Sequence, residues 1–239
     1  MKHLNHQYLL AAAIAATLPT VAMAHQGARV TVGGVYQHIS LAGAGGNLSG
    51  ATLGIEGVSR RLSGVGVRAR LSYAVGNGAE LETLGARIVA YPHRGISPYM
   101  SLGAVDLSNL AGATSATTSY QVNTSTGAIT PTTTITHLPS VGVVMGDAFV
   151  GLRGRYAINH RLALAAHVAL GEGVGGSVTG LAPQSSGGST LATSFGAAMS
   201  YRLSGGADLS LGYSQESIPM RGATFKSSGV TAAVSRRFF

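Results

Sequence analysis

The stretch Arg161–Leu170, RLALAAHVAL, has the clearest regular pattern in this chain. One face carries Leu162, Leu164, Ala166, Val168 and Leu170, and the other carries Arg161, Ala163, Ala165, His167 and Ala169. Large apolar residues therefore recur at every second position over ten residues, which is the period of a β-strand and not of a helix. The stretch predicts a strand with one strongly apolar face.

The flanking sequence extends this strand into hairpins. Residues 148–156 alternate in the same way and are joined to Arg161 by the tight connection Ile158-Asn159-His160. Residues 191–202 and 208–214 alternate on either side of Ser204-Gly205-Gly206. Two alternating runs separated by a short turn predict a β-hairpin, so the second half of the chain predicts two of them.

The first half of the chain shows the same organisation less regularly. Residues 65–74 alternate and end at Gly76-Asn77-Gly78, a strong turn signal, and residues 84–90 continue beyond it. Further candidate strands are Arg29–Ser40, Ala51–Arg60, Ser97–Leu107 and Gly229–Phe239. The whole sequence thus predicts ten strands, with eight as the alternative.

The composition indicates where these strands lie. The chain is 45% hydrophobic with a mean hydropathy of +0.28, and only 10% of its residues are charged, against about 25% in soluble domains. No apolar run after Ala24 reaches the 18 residues expected of a membrane-spanning helix. Apolar residues distributed over alternating strands are typical of membrane barrels. The predicted fold class is all-β, an antiparallel transmembrane β-barrel.

The first 24 residues are interpreted as a cleaved helical signal peptide. Lys2 provides a positive start, Tyr8–Leu18 is apolar, and Ala22-Met23-Ala24 is a small-residue cleavage site before His25. The apolar part is shorter than the roughly 20 residues that span a bilayer. The predicted organisation is a signal peptide, 1–24, and a single exported domain, 25–239, which has no cysteine for disulfides.

The connections between the predicted strands alternate in length. One set comprises Leu41–Gly50, Val75–Ala79, Ser108–Met145, Gly171–Ser189 and Gln215–Gly222, and the short set lies near residues 61–64, 92–96, 157–160 and 203–207. Long external loops and short periplasmic turns are typical of bacterial outer-membrane barrels. The Thr/Ser-rich connection Ser108–Met145 is interpreted either as a mobile loop or as a strand extension above the membrane.

Over residues 25–239 the chain resembles the small outer-membrane β-barrels of Gram-negative bacteria, a group that includes OmpA-like membrane domains and opacity or adhesion barrels. The resemblance implies an outer-membrane location and a final aromatic residue read by the barrel assembly machinery. The chain ends in VTAAVSRRFF, in which Phe238 shares the parity of Val230 and Phe239 does not. Either a bulge near Arg236-Arg237 shifts the register, or Phe238 takes the terminal role.

Basic residues dominate the predicted inner face of the barrel. They are Arg68, Arg70, Arg87, Arg153, Arg155 and Arg202, accompanied by the acids Glu56 and Asp208. A structural network of ion pairs and water is the favoured interpretation, and an anion-preferring pore is the alternative. A ten-strand lumen is narrow for an open channel.

Several tyrosines are predicted at positions typical of the aromatic belts at the two membrane interfaces. Tyr36, Tyr73 and Tyr213 are predicted near the outer strand ends, and Tyr156 and Tyr201 near the periplasmic ends, all facing outward. Tyr91 and Tyr99 lie near the periplasmic rim with inward parity.

Few other residues suggest chemistry. Glu80 and Glu82 share one face and are interpreted as a solvated strand end, with divalent-ion bridging to lipopolysaccharide phosphates as a weaker hypothesis. His38 and Ser40 share a face, as a membrane-embedded acyl hydrolase would require, but no acid partner can be assigned. His167 is predicted to hydrogen-bond inside the lumen. No sequence motif for a catalytic site, a cofactor or a metal is present.

The predicted function is that of a non-enzymatic outer-membrane barrel with a structural or surface-interaction role, exercised through residues 108–145 and 171–189. A narrow pore or transporter is the alternative, followed by an outer-membrane enzyme acting on lipid or peptide and by a soluble periplasmic β-protein. The net charge of +8 comes from arginines scattered through apolar strands, so nucleic acid is not expected as a partner. Expected partners are outer-membrane lipids, lipopolysaccharide and the barrel assembly machinery.

Overall fold

The structure is a computed structural model that describes residues 28–59, 65–90, 95–112, 114–122, 129–137, 139–180, 191–220 and 223–238. Its strands are β1 (Ala28–Leu41), β2 (Ala44–Ser59), β3 (Val65–Gly76), β4 (Ala79–Ala90), β5 (Ile96–Leu110), β6 (Thr114–Val122), β7 (Ile129–His137), β8 (Val141–Ala157), β9 (Leu162–Thr179), β10 (Leu191–Arg202), β11 (Ala207–Met220) and β12 (Ala223–Phe238). Among the described residues, no helix is long and apolar enough to cross a membrane. The signal-peptide prediction for residues 1–24 lies outside the described residues.

Ten of these strands form one closed antiparallel barrel. The barrel contains all of the strands except β6 and β7, and β1 closes it by pairing with β12 from Ala28↔Phe238 to Leu41↔Phe225. Closure removes every sheet edge from this part of the molecule. The prediction of an antiparallel ten-strand barrel is confirmed, and the eight-strand alternative is wrong. We refer below to the end of the barrel at Ala28 and Phe238 as the terminal end, and to the opposite end as the hairpin end.

The connections predicted as long loops are mostly strand. β1 and β2 are separated only by Ala42 and Gly43, although residues 41–50 were predicted to form a loop. Likewise β11 reaches Met220 and β9 reaches Thr179. β11 was predicted to end near the point where its outer face ceases to be apolar, whereas hydrogen bonding with β12 continues to Met220. At the terminal end the connections are short, as predicted, and Asn159 accepts hydrogen bonds from the backbone N–H of Arg161 and Leu162.

Residues from the connection Ser108–Met145 extend the barrel and also form a separate hairpin. β5 continues to Leu110 and β8 begins at Val141, while among the described residues β6 pairs with β7 alone, in its own two-stranded sheet. The strand-extension interpretation of this segment is therefore confirmed for its two ends.

The apolar face of the barrel wall changes sides along the strands. On β4 the outward residues Leu84 and Ile88 give way to Glu80 and Glu82, while Leu81, which points inward, is buried. On β12 the exposed outward residues Val230 and Val234 give way to Lys226 and Ser228. On β1 the outward pair Val32 and Tyr36 gives way to His38 and Ser40.

On β1, β12 and β11 the change of polarity occurs at residues that pair with one another. Tyr36 pairs with Val230, which pairs with Tyr213 on the next strand, and these are the last apolar outward residues of β1, β12 and β11 before the hairpin end. The barrel therefore has a zone near the terminal end that is apolar outside and polar inside. Above it lies a zone that is polar outside and apolar inside, as in a soluble β-protein.

Candidate functional site

The lumen near the terminal end contains a network of charged side chains. All six arginines predicted to face inward do so, as do Glu56 and Asp208, because each alternates with an outward apolar residue. Asp208 accepts from Arg29 at 3.1 Å and from the Nε of Arg202 at 3.4 Å. Glu56 pairs with Arg68, whose Nε lies 3.2 Å from Oε2. These contacts confirm the predicted ion-pair network.

The middle of the lumen is built differently. Arg70 donates to the hydroxyls of Thr52 at 2.9 Å and Thr231 at 3.1 Å, so neutral groups hold this guanidinium. The guanidinium carbon of Arg87 lies 4.3 Å from the centre of the Tyr99 ring, which is a cation–π contact. Four arginines of the lumen, Arg70, Arg87, Arg153 and Arg155, have no carboxylate within 4 Å among the described residues.

Tyr99 and His167 occupy inward positions next to these arginines. Their rings meet edge to face with centres 6.2 Å apart, and Tyr99 is buried. The inward positions predicted for both residues are confirmed, but within the described part of the chain the His167 side chain makes no hydrogen bond of the kind predicted for it. The prediction for Tyr91 lies outside the described residues.

Two acids of the lumen were missed by the sequence analysis. Glu216 on β11 accepts a hydrogen bond from Ser194 at 3.3 Å, and Asp147 lies on β8 against Gly103. Both fall at the boundaries of segments predicted as loops, where no inward face had been assigned. Continuing the alternation of Asp208 and Ser210 for three more pairs of residues would have placed Glu216 inside.

A contiguous apolar cluster fills the lumen at the hairpin end, and we call it the apolar plug. Its largest members, each less than 2% exposed, are Ile39, Leu41, Leu48, Leu81, Leu107, Leu110, Val143, Met145, Ile218 and Phe225. They project inward from seven strands, and bulges between Leu107 and Leu110 and at Met145 adjust the wall around them. The lumen is thus polar and partly hollow near the terminal end and packed with apolar side chains near the hairpin end.

The other residues that the sequence suggested for chemistry lie on the outer surface of the barrel near the hairpin end. His38 and Ser40 both point outward, and the Nδ1 of His38 lies 2.9 Å from the Oδ1 of Asn47 on β2. Among the described contacts there is none between His38 and Ser40. Sequence reasoning missed Asn47 because it lay in the predicted loop 41–50.

The two predicted carboxylates, Glu80 and Glu82, lie at the same end of the barrel on β4, which β3 separates from β2. Glu80 and Glu82 are outward and exposed as predicted, and Glu82 pairs across the sheet with Asp106. The described residues contain no group of three or more His, Asp or Glu side chains arranged to hold a metal ion.

The hairpin β6–β7 projects from this end with both faces in solvent. Its described side chains, residues 116–121 and 129–136, are all exposed, including Tyr120 at 69% and Ile129 at 64%. The strands are joined by their own ladder and by a contact between the hydroxyls of Thr118 and Thr133 at 3.2 Å.

Comparisons with known proteins bear on the fold. No protein-family model matches the sequence, and no curated protein matches it. The outer-membrane protease OmpT from Escherichia coli aligns with 89% of this chain and 96% of its own, at 11% identity and a TM-score of 0.50. The chain has the fold of the small Gram-negative outer-membrane β-barrels. This barrel also aligns with Neisserial surface protein A over 90% of its length and 100% of that protein, at 11% identity and a TM-score of 0.41. The translocator domain of the autotransporter NalP from Neisseria meningitidis aligns over 98% and 96%, at 15% identity and a TM-score of 0.43.

The five tyrosines that were predicted to face outward do so. Tyr36, Tyr73 and Tyr213 are 44–55% exposed, and Tyr156 and Tyr201, toward the terminal end, are 70% and 40% exposed. Phe238 is also outward and 50% exposed, and the register from Ala28↔Phe238 onward is unbroken. Of the two alternatives for the end of the chain, the one that gives Phe238 the outward position is therefore supported, and no bulge at Arg236-Arg237 is present.

Proposed function

We propose that this protein is an outer-membrane barrel that anchors and displays the β6–β7 hairpin at the cell surface for interaction with a partner. The observation that carries the proposal is a barrel closed by the apolar plug and extended by a hairpin whose two outer edges pair with no other described strand. In this orientation the hairpin end is outside the cell and the terminal end faces the periplasm.

The outer surface near the terminal end fits a membrane. On β10, outward residues run from Leu191 to Tyr201, including Phe195 and Met199, each 40–51% exposed. Ten residue steps of about 3.3 Å, tilted by about 40°, span about 25 Å, the height of the apolar band in outer-membrane barrels. Tyrosines at both ends of this band suit the two interfaces with lipid head groups. Outer-membrane lipid and lipopolysaccharide are then its immediate surroundings, and the assembly machinery would read β12 with Phe238.

The plug argues against the pore alternative. A conducting channel needs a continuous polar path, whereas here the lumen narrows to side chains such as Leu107, Ile218 and Phe225 that are at most 1% exposed. Opening such a path would require unpacking ten large apolar side chains. Burial of each contributes about 1.5–3 kcal/mol, so the closed form is strongly favoured.

The hairpin has the properties of a strand-pairing surface. Residues 114–137 contain no Asp, Glu, Lys or Arg and are rich in threonine, a β-branched residue that favours extended backbone. Charged residues and proline are what usually protect exposed edges from pairing. β7 contains Pro131, and β6 contains none. β6 is therefore the more open edge, and a partner could add an extended segment to it.

The test compares cells that carry the wild-type protein with cells in which residues 114–137 are replaced by a short Gly/Ser linker. Adhesion to epithelial monolayers and cell–cell aggregation are measured at equal surface amounts of protein. The double variant Thr117→Lys/Ser119→Lys places charges on β6, and the matched variant Thr132→Lys/Thr134→Lys places them on the Pro131 strand. Loss of adhesion or aggregation in the deletion and in the β6 variant, with a smaller loss in the β7 variant, is expected. Unchanged binding in the deletion would show that the hairpin is not the interaction surface.

The outward contact between His38 and Asn47 favours a second candidate, an acyl hydrolase acting on outer-leaflet lipid. Asn47 could hold the His38 ring through Nδ1, which would leave Nε2 available to act on the hydroxyl of Ser40. Ser40 would then be the nucleophile, His38 the base and Asn47 the orienting group. These residues follow Tyr36 toward the hairpin end, at the depth where ester-linked acyl chains would meet the lipid head groups. Mass spectrometry of lipid A and phospholipids from cells with wild-type protein or Ser40→Ala tests this activity. Identical acylation in both strains would eliminate the candidate.

A further inference from the structure

A cavity of about 300 Å³ lies inside the barrel near the terminal end. Its charged lining consists of Arg29, Arg68, Arg70, Arg87, Arg153, Arg155, Glu56, Asp208 and Glu216. Ten water molecules in liquid water occupy about the same volume, at about 30 Å³ each. The cavity is therefore large enough for a small oxyanion together with some of its hydration water.

Small side chains on one wall create this space. Ala165 on β9 pairs with Ala198 on β10, which pairs with Gly212 on β11, so three inward positions in one row carry at most a methyl group. Arg155 on β8 pairs with Ala165 at the edge of this row, and Arg153 pairs with His167 on β9, so both arginines lie beside the recess. The arginines of β3 and β4 lie on the opposite side of the barrel. The lumen is thus asymmetric, with guanidinium groups around a recess where larger side chains would otherwise fill the barrel.

The charges that line the cavity do not balance. Six arginines face three carboxylates, which leaves a net charge of +3 with histidine neutral. Asp208 is bound by Arg29 and Glu56 by Arg68, whereas Glu216 is hydrogen-bonded to Ser194.

Two arginines on β8 stand out within this set. Arg153 and Arg155 are two residues apart on the inward face, and neither has an ion pair or a side-chain hydrogen bond within the described part of the chain. Arg153 is partly buried and Arg155 is exposed, so the lack of a counter-charge is costly mainly at Arg153, and repulsion between the two like charges adds to this cost. A bound anion would remove both penalties.

We propose that this cavity is a binding site for a phosphate-type oxyanion, held chiefly by Arg153 and Arg155 and entered from the terminal end. Guanidinium groups match the oxygens of phosphate in bidentate geometry, and they keep their charge at every physiological pH. The apolar plug closes the other end of the lumen, so the site is a blind pocket and not part of a channel. The phosphate group could belong to a free ion or to the head group of a larger molecule.

The test uses the full barrel purified in detergent micelles, titrated with inorganic phosphate and, separately, with glycerol 3-phosphate. Chloride at the same ionic strength serves as the reference, because it separates general screening from specific binding. Isothermal titration calorimetry and the thermal midpoint of unfolding are both recorded. We expect saturable binding of phosphate and a rise in the midpoint that chloride does not produce. Equal affinity for both ligands indicates a free-ion site, and about tenfold tighter binding of the ester indicates a head-group site.

Two variants and one control make the test specific. Arg153→Gln/Arg155→Gln removes the unpaired charges, and Ala198→Leu fills the recess without changing any charge. Each is expected to weaken phosphate binding about tenfold or more. Arg161→Gln removes an arginine from an exposed turn and should bind as the wild type does.

A further readout separates binding from damage to the fold. Without phosphate, the double arginine variant should unfold at an equal or higher temperature than the wild type, because like charges have been removed. The proposal is overturned if phosphate acts no differently from chloride on the wild-type barrel, or if the double variant and Ala198→Leu bind phosphate as tightly as the control.

Discussion

Truncation of Leu107 tests whether the barrel interior at the hairpin end is a packed apolar core. Leu107 is 1% exposed on the inward face of β5, and its neighbour Ser108 points outward. Leu107→Ala removes three carbon groups, worth about 2.4 kcal/mol at about 0.8 kcal/mol each, and the remaining cavity raises the loss to about 3–4 kcal/mol. Ser108→Ala should change the free energy of unfolding by less than about 0.5 kcal/mol.

The assay is equilibrium unfolding of each variant by guanidinium chloride in detergent micelles. The chain has no tryptophan, so the β-sheet circular dichroism signal is followed and the shift of the midpoint gives the difference in free energy. If Leu107→Ala costs no more than Ser108→Ala, Leu107 does not lie in a packed interior, and the description of the apolar plug is wrong.

Three further predictions concern other parts of the barrel. Arg68→Gln leaves Glu56 without its ion-pair partner and should lower the free energy of unfolding by about 1–2 kcal/mol in the same assay, because both groups are partly accessible to lumen water; the exposed Arg161→Gln should have no measurable effect. Ala42→Asn should raise the free energy of unfolding by about 1 kcal/mol, because Ala42 has a φ of 50° in a two-residue turn where the next hairpin has Asn77 at a φ of 52°; a loss of stability would refute this account of the turn. Replacing residues 114–137 by a linker should leave unchanged both the unfolding midpoint and the difference in gel mobility between boiled and unboiled barrel, because among the described strands β6 and β7 pair with each other alone. A clearly lower midpoint would show that the hairpin supports the barrel.

The zone near the terminal end could be read from the sequence because its two faces differ in polarity. In Arg161–Leu170, large apolar residues occupy the outward positions and small or polar ones occupy the lumen. The same contrast identified the inward arginines, His167 and the outward tyrosines. Placing Glu56 and Arg68 inside predicted ion pairing in the lumen, and the structure shows that these two residues pair with each other.

The zone near the hairpin end was missed for a physical reason. Its strands are apolar on the inner face, so the alternation changes phase at Tyr36-Gln37-His38 on β1 and at Tyr213-Ser214-Gln215 on β11. A search for one unbroken apolar face ends β11 at this change of phase, and on β1, which was predicted to reach Ser40, it misses the apolar inner face. Reading residues 37–41 by themselves, with Ile39 and Leu41 on one face and His38 and Ser40 on the other, would have revealed the apolar inner face that forms the plug.

Contacts between distant residues could not be predicted from the sequence. Asn47 meets His38 because a two-residue turn fixes the register of β1 and β2. The row of Ala165, Ala198 and Gly212 depends on the register of three strands, and a shift of one residue would move each of them to the outer face.

The proposed orientation, in which the barrel spans the outer membrane with the β6–β7 hairpin outside the cell, can be tested directly by labelling. The chain has no native cysteine, so single cysteines report position without interference. Ser119→Cys lies on the exposed hairpin and His160→Cys on an exposed turn at the terminal end. Labelling of intact cells with a membrane-impermeant maleimide is predicted to modify Ser119→Cys, and to modify His160→Cys only after the outer membrane is permeabilised. Labelling of His160→Cys in intact cells, or protection of Ser119→Cys, would contradict the proposed orientation.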